Sequence, residues 1–118
     1  MNNKRKIITK SCVPCQKGTT PLSGEQLTAL FSQLENGWQI IKDHQLEREY
    51  HFPDFATALA FTNQVGALAE KEGHHPDIHL SYGKVKIILW THKIDGLSEN
   101  DFIFAAKCGK IIHSACKN

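Results

Sequence analysis

Apolar residues recur along the chain with two periods, one helical and one extended. A first helix is predicted where they fall three and four positions apart, at Leu27, Leu30, Phe31 and Leu34. Ser23 and Gln26 have the spacing of a capping box at its start. Asn36-Gly37 predicts its end.

Two strands are predicted next. Residues 38–42 form a short, mostly apolar run, and Asp43-His44 predicts a turn. In residues 46–52, Glu47, Glu49 and His51 alternate with larger side chains, which is the period of a half-buried strand.

A second helix is predicted from Pro53-Asp54 to Gly73, since Asp suits the N-cap and Gly the C-cap. Pro76 prevents the helix from resuming. Its apolar face is wide and comprises Phe55, Leu59, Thr62 and Ala69, flanked by Phe61, Val65 and Leu68. So wide a face predicts burial on more than one side, as in a helix that also meets a partner chain.

The remaining pattern predicts a hairpin and a third helix. Residues 77–82 and 84–91 alternate around Gly83, and Ser98 and Asp101 form a second capping box. The order α-β-β-α-β-β-α predicts an α+β fold, in which a four-stranded antiparallel sheet carries three helices on one face in a two-layer sandwich. We expect residues 1–21 to be an N-terminal extension and residues 22–118 to form a single domain.

The composition narrows the possible functions. The 118 residues are 41% hydrophobic and 22% charged, as expected of one soluble domain. A net charge of +2 is too small and dispersed to predict nucleic-acid binding. No segment approaches the roughly 18 apolar residues of a membrane span, and the start lacks the apolar core of a secretory signal. These features predict a cytoplasmic protein that binds neither membrane nor nucleic acid.

Four cysteines are expected to be free thiols in such a compartment: Cys12, Cys15, Cys108 and Cys116. Cys12 and Cys15 have the spacing of half a zinc site or of a redox motif. The other two cysteines lack that spacing, so the favoured interpretation is an inert or loosely ordered N-terminal segment.

Histidines and carboxylates form the main candidate site. His74 and His75 follow the second helix, and Glu70 lies one turn before them. His92 ends the last strand, which the hairpin returns toward His74 and His75, and Asp101 opens the helix that follows. We therefore expect these residues to meet at one end of the sheet.

Two kinds of chemistry suit this cluster. Three imidazoles with nearby carboxylates could bind zinc, but adjacent histidine side chains diverge, and acid–base catalysis tolerates that divergence better than tetrahedral ligation does. The sequence therefore favours proton transfer without a metal. Asp101 is also explained as a helix cap, and Glu70 as a solvated helix residue. The remaining histidines are interpreted as surface residues: His44, His51, His79 and His113.

The spacing of these residues resembles a known family. Glu70-x-x-x-His74-His75-Pro76, Tyr82, Thr91-His92 and the run from Gly96 to Asp101 are similar to those of pterin-4a-carbinolamine dehydratases. The resemblance covers about residues 22–106, and Cys12-Val-Pro-Cys15 with Pro21-Leu22 is similar to bacterial members.

The resemblance implies an α+β dimer or tetramer that needs no metal or organic cofactor. It implies dehydration of 4a-hydroxytetrahydropterin to quinonoid dihydropterin, which recycles the cofactor of aromatic amino acid hydroxylases. It implies catalytic roles for His74, His75 and His92. Substrate-binding roles are implied for Glu70, Pro76 and Asp101. Members that act as assembly factors lack such residues, so that function is not expected here.

Overall fold

The computed structural model describes residues 7–13 and 18–115. Within these ranges the helices are α1 (Glu25–Phe31), α2 (Phe55–Glu72) and α3 (Glu99–Ala115). The strands are β1 (Gln39–Ile41), β2 (Gln45–His51), β3 (Asp77–Ser81) and β4 (Lys84–Leu89). Short 3₁₀ turns occupy Ile7–Thr9 and His92–Ile94. The predicted order of helices and strands is confirmed.

The four strands form one antiparallel sheet in the order β1-β2-β4-β3. The register pairs Leu46 with Leu89, and it pairs Tyr50 and Leu80 with Val85. These side chains join the hydrophobic core with residues of the helices. The α+β fold class predicted from the alternating pattern is confirmed.

Helix α2 begins and ends as its sequence predicts. The Asp54 carboxylate accepts a hydrogen bond from the Thr57 N–H at 2.8 Å, and Gly73 ends the helix in the left-handed conformation, with φ 68°. The fold buries one strip of the apolar face, whereas Phe55 and Leu59 remain 44% and 39% exposed. A single copy therefore covers only part of the wide apolar face.

The predicted N-terminal cap and C-terminal end of α1 are wrong. Its N-cap is Gly24, with φ 55° and no side-chain hydrogen bond, so Ser23 does not form a capping box. Ser23 contributes only its carbonyl, which accepts from the Gln26 N–H. The helix also ends at Phe31, well before Asn36-Gly37.

The described part of the N-terminal segment packs against the domain. The Ile7 side chain is buried in the core, and its N–H donates to Gln33 Oε1. Lys10 Nζ lies 2.6 Å from Glu99 Oε2 at the start of α3. The proposed boundary after residue 21 stays a prediction, and Cys15 and Cys116 lie outside the described residues. None of the described helices is long and apolar enough to span a membrane.

Candidate active site

An open cleft of about 360 Å³ lies where the end of α2, the end of β4 and the start of α3 meet. Its volume falls in the range of small-molecule sites, about 300–1,000 Å³. The lining residues are Val13, Glu72, Gly73, His74, His75, Trp90, Thr91, His92, Lys93 and Asn100. The structure thus brings together the three histidines that the sequence singled out.

His74 forms the buried part of this site. The left-handed turn at Gly73 lets the chain leave α2 sharply, and the His74 N–H still bonds to the Ala69 carbonyl of the last helical turn. The His74 Nε2 atom lies 2.6 Å from Asp101 Oδ1. The imidazole is 12% exposed and the carboxylate is completely buried. A buried carboxylate in this position orients the ring and fixes which nitrogen carries its hydrogen.

Asp101 has several hydrogen-bond partners. Its Oδ2 atom accepts from the Thr91 hydroxyl at 2.8 Å and from the Ser98 N–H at 3.0 Å. Because the single Thr91 hydroxyl hydrogen points at Asp101, the Ser98 hydroxyl donates to Thr91 Oγ1, 2.7 Å away. Asp101 therefore caps the start of α3 with one oxygen and holds His74 with the other. Its contacts thus fit both interpretations of this residue, as a helix cap and as part of the candidate site.

His75 lies on the exposed side of the cleft. Its Nε2 atom is 2.7 Å from Glu70 Oε2, but the two side chains are 62% and 80% exposed. Glu70 is thus hydrogen-bonded to His75, and neither Glu70 nor Pro76 is among the residues that line the cleft.

His92 is held by an aromatic ring. Its imidazole packs against the Trp90 indole, with ring centroids 4.0 Å apart and ring planes inclined by 36°. A second histidine, His44, lies 4.6 Å from the same indole and bonds to Asp95 Oδ1. The hydrogen bond to Asp95 raises the pKa of His44. His44, interpreted as an isolated surface residue, therefore packs against the same indole as His92.

The described residues do not favour a metal at this site. Among residues 7–13 and 18–115, no group of three or more histidine, cysteine and acidic side chains could hold a metal ion. Cys12 donates weakly to the Asn100 carbonyl at 3.6 Å. Burial, together with the nearby Glu72 carboxylate, raises the pKa of the Cys12 thiol to about 12, so it is protonated and a poor ligand near neutrality.

Five lining residues were not singled out by the sequence pattern: Val13, Glu72, Trp90, Lys93 and Asn100. The Glu72 side chain is almost fully buried and bonds both to Lys107 Nζ at 2.6 Å and to the Cys12 N–H at 2.8 Å. Asn100 bonds to the Val13 backbone. These contacts join residues 35 to 87 positions apart, so no local spacing could reveal them.

Comparison with known proteins shows the family of the chain. The sequence profile described as "Pterin 4 alpha carbinolamine dehydratase" matches residues 20–111. The chain belongs to this family. A relative from Alkaliphilus metalliredigens is 58% identical over 93% of this chain and 96% of its own length. Another, from Rubrobacter xylanophilus, is 49% identical over 89% of this chain and 97% of its own length. Both carry the provisional name pterin-4-alpha-carbinolamine dehydratase.

Two solved structures have a similar fold. The transcriptional coactivator/pterin dehydratase from Brucella melitensis superposes with a TM-score of 0.72 and 32% identity, covering 78% of this chain and 98% of that one. A pterin dehydratase-like protein described as a RuBisCO assembly factor in the alpha-carboxysome gives a TM-score of 0.56 and 26% identity. It covers 65% of this chain and 90% of that one.

Proposed function

We propose that this protein dehydrates 4a-hydroxytetrahydropterin to quinonoid dihydropterin and water. The observation that carries the proposal is the His74–Asp101 pair, buried at a cleft that also presents His75 and His92. Family membership supports the substrate class, because relatives that match nearly the whole chain carry that dehydratase name.

The reaction needs two proton transfers. A proton must reach the 4a-hydroxyl so that it leaves as water, and a proton must leave N5. The electron pair of the N5–H bond then forms the N5=C4a double bond as the C4a–O bond breaks. Both transfers need groups that titrate near neutrality, which histidine provides.

We assign His74 and His92 as the acid–base pair. Donation from His74 Nε2–H to Asp101 leaves its other ring nitrogen as an acceptor, which suits a base. His92 is solvent-exposed, and among the described residues it is held by Trp90 rather than by a carboxylate; we assign it as the acid. His75 holds the pterin, with Glu70 and Pro76 supporting that corner of the site.

A stopped-flow absorbance assay with 4a-hydroxytetrahydrobiopterin tests this assignment. We expect His74→Ala and His92→Ala each to lower turnover by about 100- to 10,000-fold, the usual contribution of a positioned acid or base. His79→Ala, an exposed histidine on β3, is the matched control and should leave turnover unchanged. Near wild-type rates in both active-site variants would refute the assignment.

The proposal extends to assembly and physiology. We propose a cytoplasmic homodimer or homotetramer that recycles the pterin of an aromatic amino acid hydroxylase. The exposed Phe55 and Leu59 on α2 support self-association. Light scattering coupled to size exclusion tests it, and a strict monomer at micromolar concentration would contradict it.

A further inference from the structure

The N-terminal segment supplies part of the cleft wall. Val13 lines the cleft and is 64% exposed. It is also the only aliphatic hydrocarbon side chain among the described lining residues. A single exposed valine on a protein surface needs no functional explanation. The backbone of Val13, however, is held in place by hydrogen bonds.

The Asn100 side chain fixes the Val13 peptide groups. The Val13 N–H donates to Asn100 Oδ1 at 3.0 Å, and Asn100 Nδ2 donates to the Val13 carbonyl at 2.5 Å. The amide therefore makes the same two bonds that a paired strand residue would make. Asn100 is 6% exposed and directly precedes Asp101, so the first turn of α3 positions both Val13 and His74.

A second anchor acts on the preceding residue. The Cys12 N–H donates to Glu72 Oε1, and Glu72 is the last residue of α2, two positions before His74. The side chain of Glu72 is in turn paired with Lys107 of α3. Residues 12–13 are thus tied to the same two helix ends that carry the His74–Asp101 pair.

We infer that Val13 contacts the bound pterin and that Asn100 is a positioning residue that sets where Val13 lies. This inference rests on the proposed dehydratase function. An aliphatic side chain that contacts a non-reacting part of the flat ring system stabilises the bound substrate and the transition state alike. Loss of the contact should therefore raise KM and leave kcat nearly unchanged.

Steady-state kinetics with 4a-hydroxytetrahydrobiopterin test the contact. We expect Val13→Ala to raise KM about threefold to 15-fold, the upper value corresponding to the loss of two fully buried methyl groups, with kcat within about twofold of wild type. Tyr82→Ala is the matched control, since Tyr82 is 70% exposed and lies beyond the opposite end of β3. An unchanged KM in Val13→Ala, or a loss confined to kcat, would overturn the inference.

The role of Asn100 is tested by Asn100→Asp, which keeps the shape but removes the Nδ2 donor. We expect a KM increase at least as large as that of Val13→Ala, and almost no additional increase from Val13→Ala in the Asn100→Asp background. Additive effects would show that the two residues act independently and would refute the positioning role. If the wild-type protein does not turn over the pterin, the proposed function fails; if it does and Val13→Ala is silent, only this inference fails.

Discussion

Two histidine–carboxylate pairs at the cleft have nearly the same length and opposite surroundings. The His74–Asp101 distance is 2.6 Å and the His75–Glu70 distance is 2.7 Å. Asp101 is completely buried, whereas Glu70 is 80% exposed. An exposed pair is screened by water and contributes about 0–1 kcal/mol, but losing one partner of a buried pair strands the other and costs about 3–5 kcal/mol. The two pairs therefore differ in burial and in their other hydrogen bonds, and not in the distance between imidazole and carboxylate.

The largest expected effect is that of removing the buried carboxylate. Asp101→Ala leaves His74 and Thr91 without their acceptor and uncaps α3 at Ser98. We expect the free energy of unfolding to fall by about 3 kcal/mol or more, as measured by urea denaturation. Glu70→Ala is the control, and equal losses in the two variants would show that burial does not distinguish the pairs.

A third carboxylate, Glu72, extends the comparison to a buried pair without histidine. Burial alone would raise its pKa, but hydrogen bonds from Lys107 and the Cys12 N–H leave it lowered from the ordinary 4.5. A carboxyl whose pKa is lowered by folding stabilises the fold at pH values above its pKa in the unfolded state. This stabilisation is lost as the pH falls through its pKa in the folded state.

Glu72→Gln should therefore lower the free energy of unfolding at pH 7 by about 1–3 kcal/mol. The difference from wild type should shrink as the pH falls below the ordinary value of 4.5. Denaturation at a series of pH values measures it. A deficit that stays constant down to acidic pH would contradict an ionised, stabilising Glu72.

His92, unlike His74 and His75, has no carboxylate partner among the described residues. Its ring packs against Trp90 instead. We expect Trp90→Ala to lower kcat about tenfold through misplacement of the imidazole. Trp90→Phe should restore most of the rate, since it keeps an aromatic surface under His92. Equal losses in both variants would argue that the indole acts in some other way.

The smallest expected effect belongs to the exposed pair. Glu70→Gln should change the free energy of unfolding by no more than about 0.5 kcal/mol. Added salt should leave the difference from wild type near zero, because the pair is already screened. A loss of several kcal/mol in thermal or urea denaturation would mean that a partner chain buries Glu70.

The sequence predicted what depends on local pattern and strand order. Alternation in β2 to β4 defined the sheet, and Asp54 and Gly73 marked the ends of α2. The hairpin placed His92 near His74 and His75, and all three line one cleft. These predictions succeed because periodicity and caps are encoded within a few residues.

Other features could not be predicted from the sequence because they depend on distant contacts or on backbone conformation. The sequence pattern predicted a capping box at Ser23, but α1 begins after Gly24, whose φ is positive. Nothing local indicated that the Val13 backbone meets Asn100, 87 residues later. The pattern also could not show that Asp101 serves both α3 and His74, since each contact alone explains a carboxylate at that position.

The central claim is that the buried His74–Asp101 pair carries the proton transfer. Single-turnover stopped-flow with 4a-hydroxytetrahydrobiopterin, comparing Asp101→Asn with Glu70→Gln, tests it most directly. We predict that Asp101→Asn slows dehydration by about 100-fold or more, the contribution of a positioned acid or base, while Glu70→Gln stays within about threefold of wild type. Wild-type dehydration in Asp101→Asn, or equal slowing in both variants, would contradict the claim.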